Sequence, residues 1–338
     1  MTELEITVEN LLQPSDALVA DMHKVAGDIM LLGVGGKMGP SMAKLAKQAV
    51  DKAGIQKRII GVSRFTDNAA RAELEAAGVE TIAADLLNEK QLQELPDAAN
   101  IIYLAGTKFG TTGKEPFTWA MNAYLPGRVA EKYKHSRIVA FSTGNVYPFT
   151  SVSSGIPAEG HAVGPIGEYG QSCLGRERVF QYFSQQYNIP TLIYRLNYAI
   201  DLKYGVLLEI ARSVNENRAI DLSMGLVNVI WQGDANEIAI RALRHCESPA
   251  TLLNVTGPET ISVKWLAEQF GEILGKKPLF VNEPQGTALL NNASVAHRLF
   301  GYPRVTLRQM IDLTAAWLKE GGKTLNKPTH FQERKGEF

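Results

Sequence analysis

A glycine-rich stretch near the N-terminus constrains the fold of this chain more than any other feature. It reads Gly33-Val34-Gly35-Gly36-Lys37-Met38-Gly39, and it lies between the apolar run Ile29-Met30-Leu31-Leu32 and a helix-like stretch from Met38 to Ala53. Glycine lets a backbone turn tightly and approach a ligand closely, and the free N–H groups at the start of a helix attract anions. The stretch therefore predicts a strand-to-helix turn that binds a pyrophosphate, with an ordinary turn as the alternative.

The composition is that of a globular protein that binds a small molecule. The 338 residues are 45% hydrophobic, and the 35 basic and 35 acidic side chains give a formal net charge of +0, so neither nucleic acid nor a membrane surface is an expected partner. Only Cys173 and Cys246 are present, which favours a reducing compartment and predicts no metal site. The chain shows no signal peptide and no apolar run of about 18 residues, so a cytoplasmic location is expected.

Strand-like and helix-like patterns alternate between residues 28 and 200, which is typical of parallel βαβ units. The strand-like patterns cover Arg58–Val62, Val79–Ala83, Asn100–Leu104, Arg137–Phe141 and Thr191–Arg195. The helix-like patterns between them cover 68–77, 116–134 and 169–187. We therefore predict an α/β fold with a doubly wound, parallel Rossmann-type sheet and a smaller C-terminal substrate-binding lobe. Ligands of such sheets bind at the carboxyl ends of the strands.

The same patterns predict the domain boundaries. Residues 1–27 form a helical extension that is expected to cover one sheet edge. Residues 28–200 form the dinucleotide-binding domain, to which 227–270 contribute late strands and helices. The substrate lobe comprises 201–226 and 271–321, and residues 322–338 form a polar tail that is expected to be poorly ordered.

Five segments carry a resemblance to a known family when they are taken in order. They are the 33–39 turn, Asp85-Leu86, Leu104-Ala105-Gly106, Ser142-Thr143-Gly144-Asn145-Val146-Tyr147 and Tyr169-Gly170-Gln171-Ser172-Cys173. Their order and spacing resemble the extended short-chain dehydrogenase/reductase superfamily, the NAD(P)-dependent sugar epimerases and dehydratases. The resemblance covers most of the chain after residue 28 and implies an enzyme that binds a dinucleotide.

Residue by residue, the resemblance implies a cofactor site. Pyrophosphate would be wrapped by Gly33, Gly36, Lys37, Met38 and Gly39. Asp85 and Leu86 would flank the adenine, and Leu104, Ala105 and Gly106 would support the ribose and nicotinamide. Asn197, in the segment Arg195-Leu196-Asn197-Tyr198, resembles the family segment that touches the nicotinamide. Lys108 resembles a lysine that lies near the cofactor in nucleotide-sugar epimerases, with a surface lysine as the alternative.

The end of the second predicted strand indicates which cofactor is preferred. NAD enzymes place a carboxylate there to bind the ribose 2′-OH, whereas this chain has Ser63-Arg64. A hydroxyl followed by a guanidinium suits a 2′-phosphate, since arginine binds phosphate in a bidentate way. We therefore predict NADP, with NAD as second choice; in the alternative interpretation Arg64 stacks on adenine or points to water.

The resemblance implies that Tyr169 is the acid–base group, assisted by Thr143, with Ser142 beside it. Cys173 stands where the family's Y-x-x-x-K motif has its lysine. A thiol supplies no charge to lower the pKa of a phenol, which is about 10 when unassisted. Arg176 lies seven positions after Tyr169, about two helical turns on and on the same face, and is predicted to reach over Cys173, with an ion pair or a subunit interface as the alternative. Cys173 as a nucleophile is less favoured than a small buried side chain.

The sequence says less about the substrate than about the cofactor. Residues 283–287 lack the arginine with which nucleotide-sugar members bind a diphosphate, which favours a free sugar, a sugar acid or a glycoside. The pocket candidates are Trp231, Gln232, Asp234 and His161, with Trp231 in the core as the alternative. The helices predicted at 116–134 and 169–187 resemble a family dimer interface, to which Val179, Phe180, Tyr182 and Phe183 are suited; core packing is the other explanation.

These observations predict an NADP(H)-dependent oxidoreductase or epimerase that acts on a hydroxyl or keto group of a sugar-like molecule. The alternative, which follows from Cys173, is a catalytically impaired protein that binds NADP(H) as a sensor.

Overall fold

A computed structural model describes residues 3–108, 110, 112–327 and 329–337. Residues 1 and 2 of the expected extension and residues 328 and 338 of the expected tail lie outside the described residues. Seven parallel strands form the central sheet. In spatial order they are β3 (Glu80–Ala83), β2 (Ile59–Ser63), β1 (Ile29–Leu32), β4 (Asn100–Tyr103), β5 (Arg137–Thr143), β6 (Thr191–Leu196) and β11 (Thr251–Val255). The predicted doubly wound sheet is confirmed.

Alternation along β1 creates a core on each face of this sheet. Ile29 and Leu31 belong to one apolar cluster, and Met30 and Leu32 belong to another, because successive strand side chains point to opposite faces. The first face is covered by α2 (Asp16–Met22), α3 (Gly39–Lys52), α4 (Asn68–Ala76), α10 (Gln232–Arg241) and α12 (Ser294–Phe300). The second is covered by α5 (Glu89–Glu94), α7 (Leu125–Lys132) and α8 (Gly167–Tyr187).

The helix predicted over 116–134 is interrupted. It consists of α6 (Glu115–Trp119), a π-helical turn (Ala120–Tyr124) and α7. Pro126 has no N–H to offer the Asn122 carbonyl four residues earlier, and in the π turn the Leu125 N–H bonds to the Ala120 carbonyl instead. The wider turn directs Asn122 into the protein, where its side chain is fully buried.

A third apolar cluster forms the core of the lobe. Its helices are α9 (Val206–Asn215), α11 (Val263–Leu274) and α13 (Leu307–Lys319). Short strand pairs join them: β7 (Ala199–Ile200) with β10 (Ile230–Trp231), β8 (Ala219–Asp221) with β13 (Leu279–Val281), and β9 (Leu226–Val227) with β12 (Ile261–Ser262). The predicted division assigned residues 227–270 to the Rossmann domain. In the structure, α11 packs in the lobe core.

The described part of the N-terminal extension packs on helices, whereas we expected it to cover one sheet edge. Its first helix, α1 (Glu3–Leu11), packs near α13, and α2 packs on α3 and α10. Asp21 accepts hydrogen bonds from Arg241 and Arg244, and the Ser15 hydroxyl donates to Glu237 at 2.5 Å. The extension is therefore attached to the outer helical layer by charged and hydrogen-bonded contacts as well as by apolar ones.

The described part of the tail is ordered by packing, which corrects the expectation of poor order. Phe331 is 4% exposed in the lobe core. Arg334 donates to the Thr287 carbonyl at 2.8 Å, and Gly336 packs so closely on Gly167 that a Cβ on Gly167 would lie 2.4 Å from the Gly336 oxygen. Within the described part of the chain, no helix has the length and apolar character that a membrane span requires.

Candidate active site

A cleft of about 370 Å³ opens at the carboxyl ends of the sheet strands, beside the lobe. Its walls are the glycine-rich turn, the segments that follow β4, β5 and β6, the first turn of α8 and the loop before α9. The sequence-predicted residues in this lining are Gly33, Gly36, Lys37, Met38, Gly39, Leu104, Gly106, Lys108, Ser142, Thr143, Tyr169, Asn197 and Gln232. Most of the predicted cofactor and catalytic residues therefore meet at one place.

The glycine-rich turn is shaped for a closely approaching ligand. Gly33 has a φ of +93°, and a Cβ there would lie 2.7 Å from the Ala105 backbone nitrogen, so this position requires glycine. At Gly36 the nearest atom to a hypothetical Cβ is the Gly33 oxygen at 3.5 Å, which leaves the cleft side open. Gly39 begins α3, so the free N–H groups of that helix face the same turn. This cradle fits a dinucleotide pyrophosphate.

The end of β2, where the sequence predicted the adenine side of the cofactor, has no carboxylate. Ser63 ends this strand and is half-buried, and Arg64 is exposed. Asp85 directs its carboxylate to its own chain, where it accepts a hydrogen bond from the Leu87 N–H at 3.0 Å, and Leu86 is buried.

Tyr169 and Thr143 line the cleft beside the start of α8, and Cys173 lies buried behind them. The Tyr169 side chain shares hydrogen bonds with Thr143 and with the fully buried Cys173. Thr143 also accepts a hydrogen bond from the Asn145 N–H at 3.2 Å, which fixes its orientation. The Lys108 ammonium lies 5.7 Å from the centroid of the Tyr169 ring. The arrangement places a phenol, a hydroxyl and an ammonium together at the cleft.

The ionisation of these groups is strongly shifted. Burial raises the pKa of Tyr169 well above its ordinary value, and the Arg176 charge and the hydrogen bond with Thr143 oppose this shift. Burial also raises the pKa of the Cys173 thiol. In contrast, burial lowers the pKa of Lys108 to about 8. At neutral pH the thiol is therefore uncharged, and Lys108 supplies a cation near Tyr169.

Arg176 lies behind the cleft and is held by three hydrogen bonds. It donates to the Phe141 carbonyl at 2.8 Å, to the Asn122 carbonyl at 3.3 Å and to the Asn122 side-chain oxygen at 2.7 Å. The Asn122 carbonyl is the acceptor that Pro126 leaves unbonded. A Cβ on Gly106 would lie 2.4 Å from an Arg176 nitrogen, so Gly106 is required for the guanidinium to fit. Arg176 thus acts on Tyr169 through its charge from a fixed, buried position.

The two adjacent hydroxyls after β5 have different partners. Ser142 donates to the Glu177 carboxylate at 2.5 Å, and Glu177 forms a buried ion pair with Arg195 at 2.7 Å. Arg195 also donates to the Tyr147 hydroxyl at 2.6 Å. The predicted catalytic role of Ser142 is therefore not supported by its geometry, because its hydroxyl belongs to a structural network that ties β5, β6 and α8 together.

The remaining predicted substrate residues are mostly outside the cleft. Trp231 is 1% exposed in the lobe core, Asp234 accepts from the Val305 N–H, and His161 accepts from the Ala158 N–H. Among these four candidates only Gln232 lines the cleft.

Several lining or supporting residues were not predicted. They are Asn145, Tyr198, Tyr204 and Thr329 in the lining, and Asn122 and Glu177 behind it. Asn145 belongs to the segment that identified Thr143, and Tyr198 belongs to the segment that identified Asn197, so both were indicated by those segments. The other four come from the lobe, the tail and helix interiors, where no motif marked them.

Comparison with known proteins agrees with this fold. The sequence model of the NAD dependent epimerase/dehydratase family matches residues 29–200. A search of curated protein sequences gave no match. One similar solved structure is that of UDP-glucuronic acid 4-epimerase from Bacillus cereus in complex with UDP-glucuronic acid and NAD. Its sequence is 19% identical to this chain and its TM-score is 0.70, and the match covers 87% of this chain and 99% of that one. A second similar structure is the dTDP-glucose 4,6-dehydratase DesIV from Streptomyces venezuelae with NAD and TYD bound. Its sequence is 16% identical and its TM-score is 0.73, and the match covers 87% of this chain and 97% of that one.

Proposed function

This chain belongs to the NAD dependent epimerase/dehydratase family, a family of enzymes, and on that premise we propose that it is an NADP(H)-dependent oxidoreductase or epimerase. Its substrate is a sugar-like small molecule that reacts at a hydroxyl or keto group. The observation that carries the proposal is the hydrogen-bonded pair of Tyr169 and Thr143 in the same cleft as the glycine-rich turn.

The chemistry requires a proton and a hydride to move at one carbon of the substrate. A bound nicotinamide would donate or accept the hydride. Tyr169 would take the proton from the substrate hydroxyl during oxidation and return it during reduction, and Thr143 would orient the substrate oxygen. Cys173 cannot assist as a cation, so Lys108 beside the Tyr169 ring and Arg176 behind it favour the phenolate.

We assign the cofactor as NADP in preference to NAD. Support comes from the end of β2, where Ser63 is followed by the exposed Arg64 and no carboxylate is available for a ribose 2′-OH. The compared structures contain NAD, which is the second choice for this chain. The guanidinium of Arg64 is the expected partner of the 2′-phosphate.

We further propose a homodimer formed through α6, the π turn and α8. Phe117, Trp119, Tyr124, Tyr182 and Tyr187 have exposed fractions between 39% and 60%. Among the interface residues predicted from the sequence, Phe180 belongs to the core, where its ring packs edge-on against Tyr103, whereas Tyr182 is exposed. The two free cysteines suit a reducing compartment such as the cytoplasm.

The test has two steps. Fluorescence titration with NADPH and NADH measures cofactor choice, and tighter NADPH binding is expected. Turnover is then measured by NADPH absorbance with a panel of sugars, ketoses and sugar acids, for the natural chain and for Tyr169→Phe. We expect turnover that falls about 100-fold or more in Tyr169→Phe. Tighter binding of NADH would overturn the cofactor assignment, and tight cofactor binding without any turnover would favour the sensor.

A further inference from the structure

Three lysines from three parts of the chain converge beside the cleft. Lys108 lies beside Tyr169, and the Lys37 ammonium lies 3.2 Å from the centroid of the Tyr204 ring. Lys327 lines an adjoining cavity of about 240 Å³, and this cavity shares Tyr204 and Gly205 with the cleft. Among the described residues that line the cleft, Lys37 and Lys108 are charged and none is an aspartate or a glutamate. The cleft lining is therefore positive from Tyr169 to Tyr204. The adjoining cavity has four basic side chains against two carboxylates, namely Lys203, Arg212, Arg218 and Lys327 against Glu209 and Glu216.

The segment that carries Lys327 is fixed on both sides. The Leu325 N–H donates to the Lys203 carbonyl at 2.9 Å, Asn326 accepts from Arg212 at 3.1 Å, and the Thr329 N–H donates to Glu209 at 2.7 Å. Lys327 itself is exposed. Its backbone is thus held at the edge of the adjoining cavity, while its side chain remains accessible to a ligand.

The charge of Lys37 is unfavourable in this setting. Burial lowers its pKa to about 7, and the charges of Lys108 and Lys327 lower it further. Asp201 opposes this shift, but its carboxylate already accepts hydrogen bonds from the Lys203 and Tyr204 N–H groups. An anion placed among these lysines would relieve their mutual repulsion.

We propose that Lys327 binds a carboxylate or phosphate group of the substrate next to Tyr204, with the Lys37 ammonium between this group and the bound dinucleotide, so that the substrate class is small acidic sugars. The inference rests on the proposed function, because the reacting hydroxyl must lie at Tyr169. A dinucleotide accounts for the glycine-rich turn but not for Lys327, which belongs to the lobe side. The lack of an arginine at residues 283–287 fits a substrate without a nucleoside diphosphate.

The experiment is calorimetric titration of the NADPH-loaded protein with inorganic phosphate and, separately, with acetate. We expect binding of at least one anion, weakened about fivefold or more in Lys327→Ala. Lys323→Ala, an exposed lysine in the same segment that lines neither cavity, is the matched control and should bind as the natural chain does. The anion that binds more tightly distinguishes a sugar phosphate from a sugar acid.

Two results would overturn the inference: neither anion binds, or Lys327→Ala binds phosphate and acetate as tightly as Lys323→Ala does. Failure of the proposed function is a separate outcome, which appears as a protein that does not bind NADPH. In that case Lys327→Ala and Lys323→Ala are compared on the cofactor-free protein. Weaker anion binding by Lys327→Ala still supports an anion site, and equal binding by the two variants still rejects one.

Discussion

The ammonium of Lys108 lies 5.7 Å from the centroid of the Tyr169 ring, so a cation stands beside the candidate acid–base group although position 173 holds cysteine. Lys108 follows β4, whereas the family's lysine would lie on α8 with the tyrosine. In the proposed mechanism, the charge that favours a phenolate would thus come from a different strand end. Arg176 adds a second, buried charge from behind Gly106.

Lys108→Met should lower kcat about 100-fold and shift the ionisation of Tyr169 in the pH–rate profile to higher pH, because the phenolate of Tyr169 loses a nearby cation. Stopped-flow measurement of hydride transfer between pH 6 and pH 10 checks this. Lys134→Met, which removes an exposed lysine remote from the cleft lining, is the control and should leave kcat unchanged. Equal rates in the two variants would contradict the role of Lys108.

Cys173→Lys should not restore the family's usual arrangement. Cys173 is fully buried, and the Arg176 charge already acts on it, so a lysine there would place a second buried cation next to the guanidinium. We expect a loss of roughly 3 kcal/mol in the free energy of unfolding and a lower kcat. Denaturant unfolding and turnover measure both.

The control for this substitution is Cys173→Ala, which removes the sulfur without adding charge. It should cost only about 1 kcal/mol and leave measurable turnover. A Cys173→Lys variant that is as stable as Cys173→Ala and faster than the natural chain would show that the cysteine is a defect and not a part of the site.

Ser142→Ala and Thr143→Val should separate two hydroxyls that are neighbours in the sequence. Ser142 donates to Glu177, so its loss should cost roughly 2 kcal/mol of stability and change kcat by about threefold or less. Thr143 shares a hydrogen bond with Tyr169, so its loss should lower kcat on the order of 100-fold with a small change in Tm. Thermal unfolding and turnover of both variants check this, and the reverse pattern would exchange the two roles.

The sequence predicted those features that short stretches determine. Apolar runs at β1, β2 and β4 and the glycine-rich turn between β1 and α3 specify the parallel sheet, because strand burial and turn geometry are local properties. The positions of Tyr169 and Thr143 at the cleft followed from motifs at the start of α8 and the end of β5. The NADP preference, read from Ser63 and Arg64, stays a prediction.

Features that depend on distant contacts could not be predicted in the same way. Arg176 is fixed by an acceptor that Pro126 leaves unbonded and by the space at Gly106, three segments that are far apart in the chain. Thr329 and Lys327 come from a polar segment whose order depends on Glu209 and Arg212 in α9. No local pattern carries this information, since each contact is made only after the lobe has folded.

Cofactor affinity should depend on pH through Lys37, whose pKa is about 7. Burial and the charges of Lys108 and Lys327 lower this pKa, and the charge of Asp201 raises it. Lys37 is charged below this pKa and neutral above it, and an anionic ligand favours the charged form. Binding of NADPH should therefore weaken as pH rises, roughly tenfold between pH 7 and pH 8.5, and should take up protons in that range. Fluorescence titration measures the affinity, and calorimetry in buffers of different ionisation enthalpy measures the protons.

Lys37→Met is the decisive variant for this dependence, because it removes the titrating group while retaining an unbranched side chain. Its NADPH affinity should be lower at pH 7 than that of the natural chain and nearly flat up to pH 8.5, apart from a weaker fall around the Lys108 pKa of about 8. NADH, which lacks the 2′-phosphate, should follow the same trend with the natural chain, since the dependence belongs to Lys37. A natural chain whose affinity for both cofactors is constant from pH 7 to pH 8.5 would show that Lys37 does not face the bound dinucleotide.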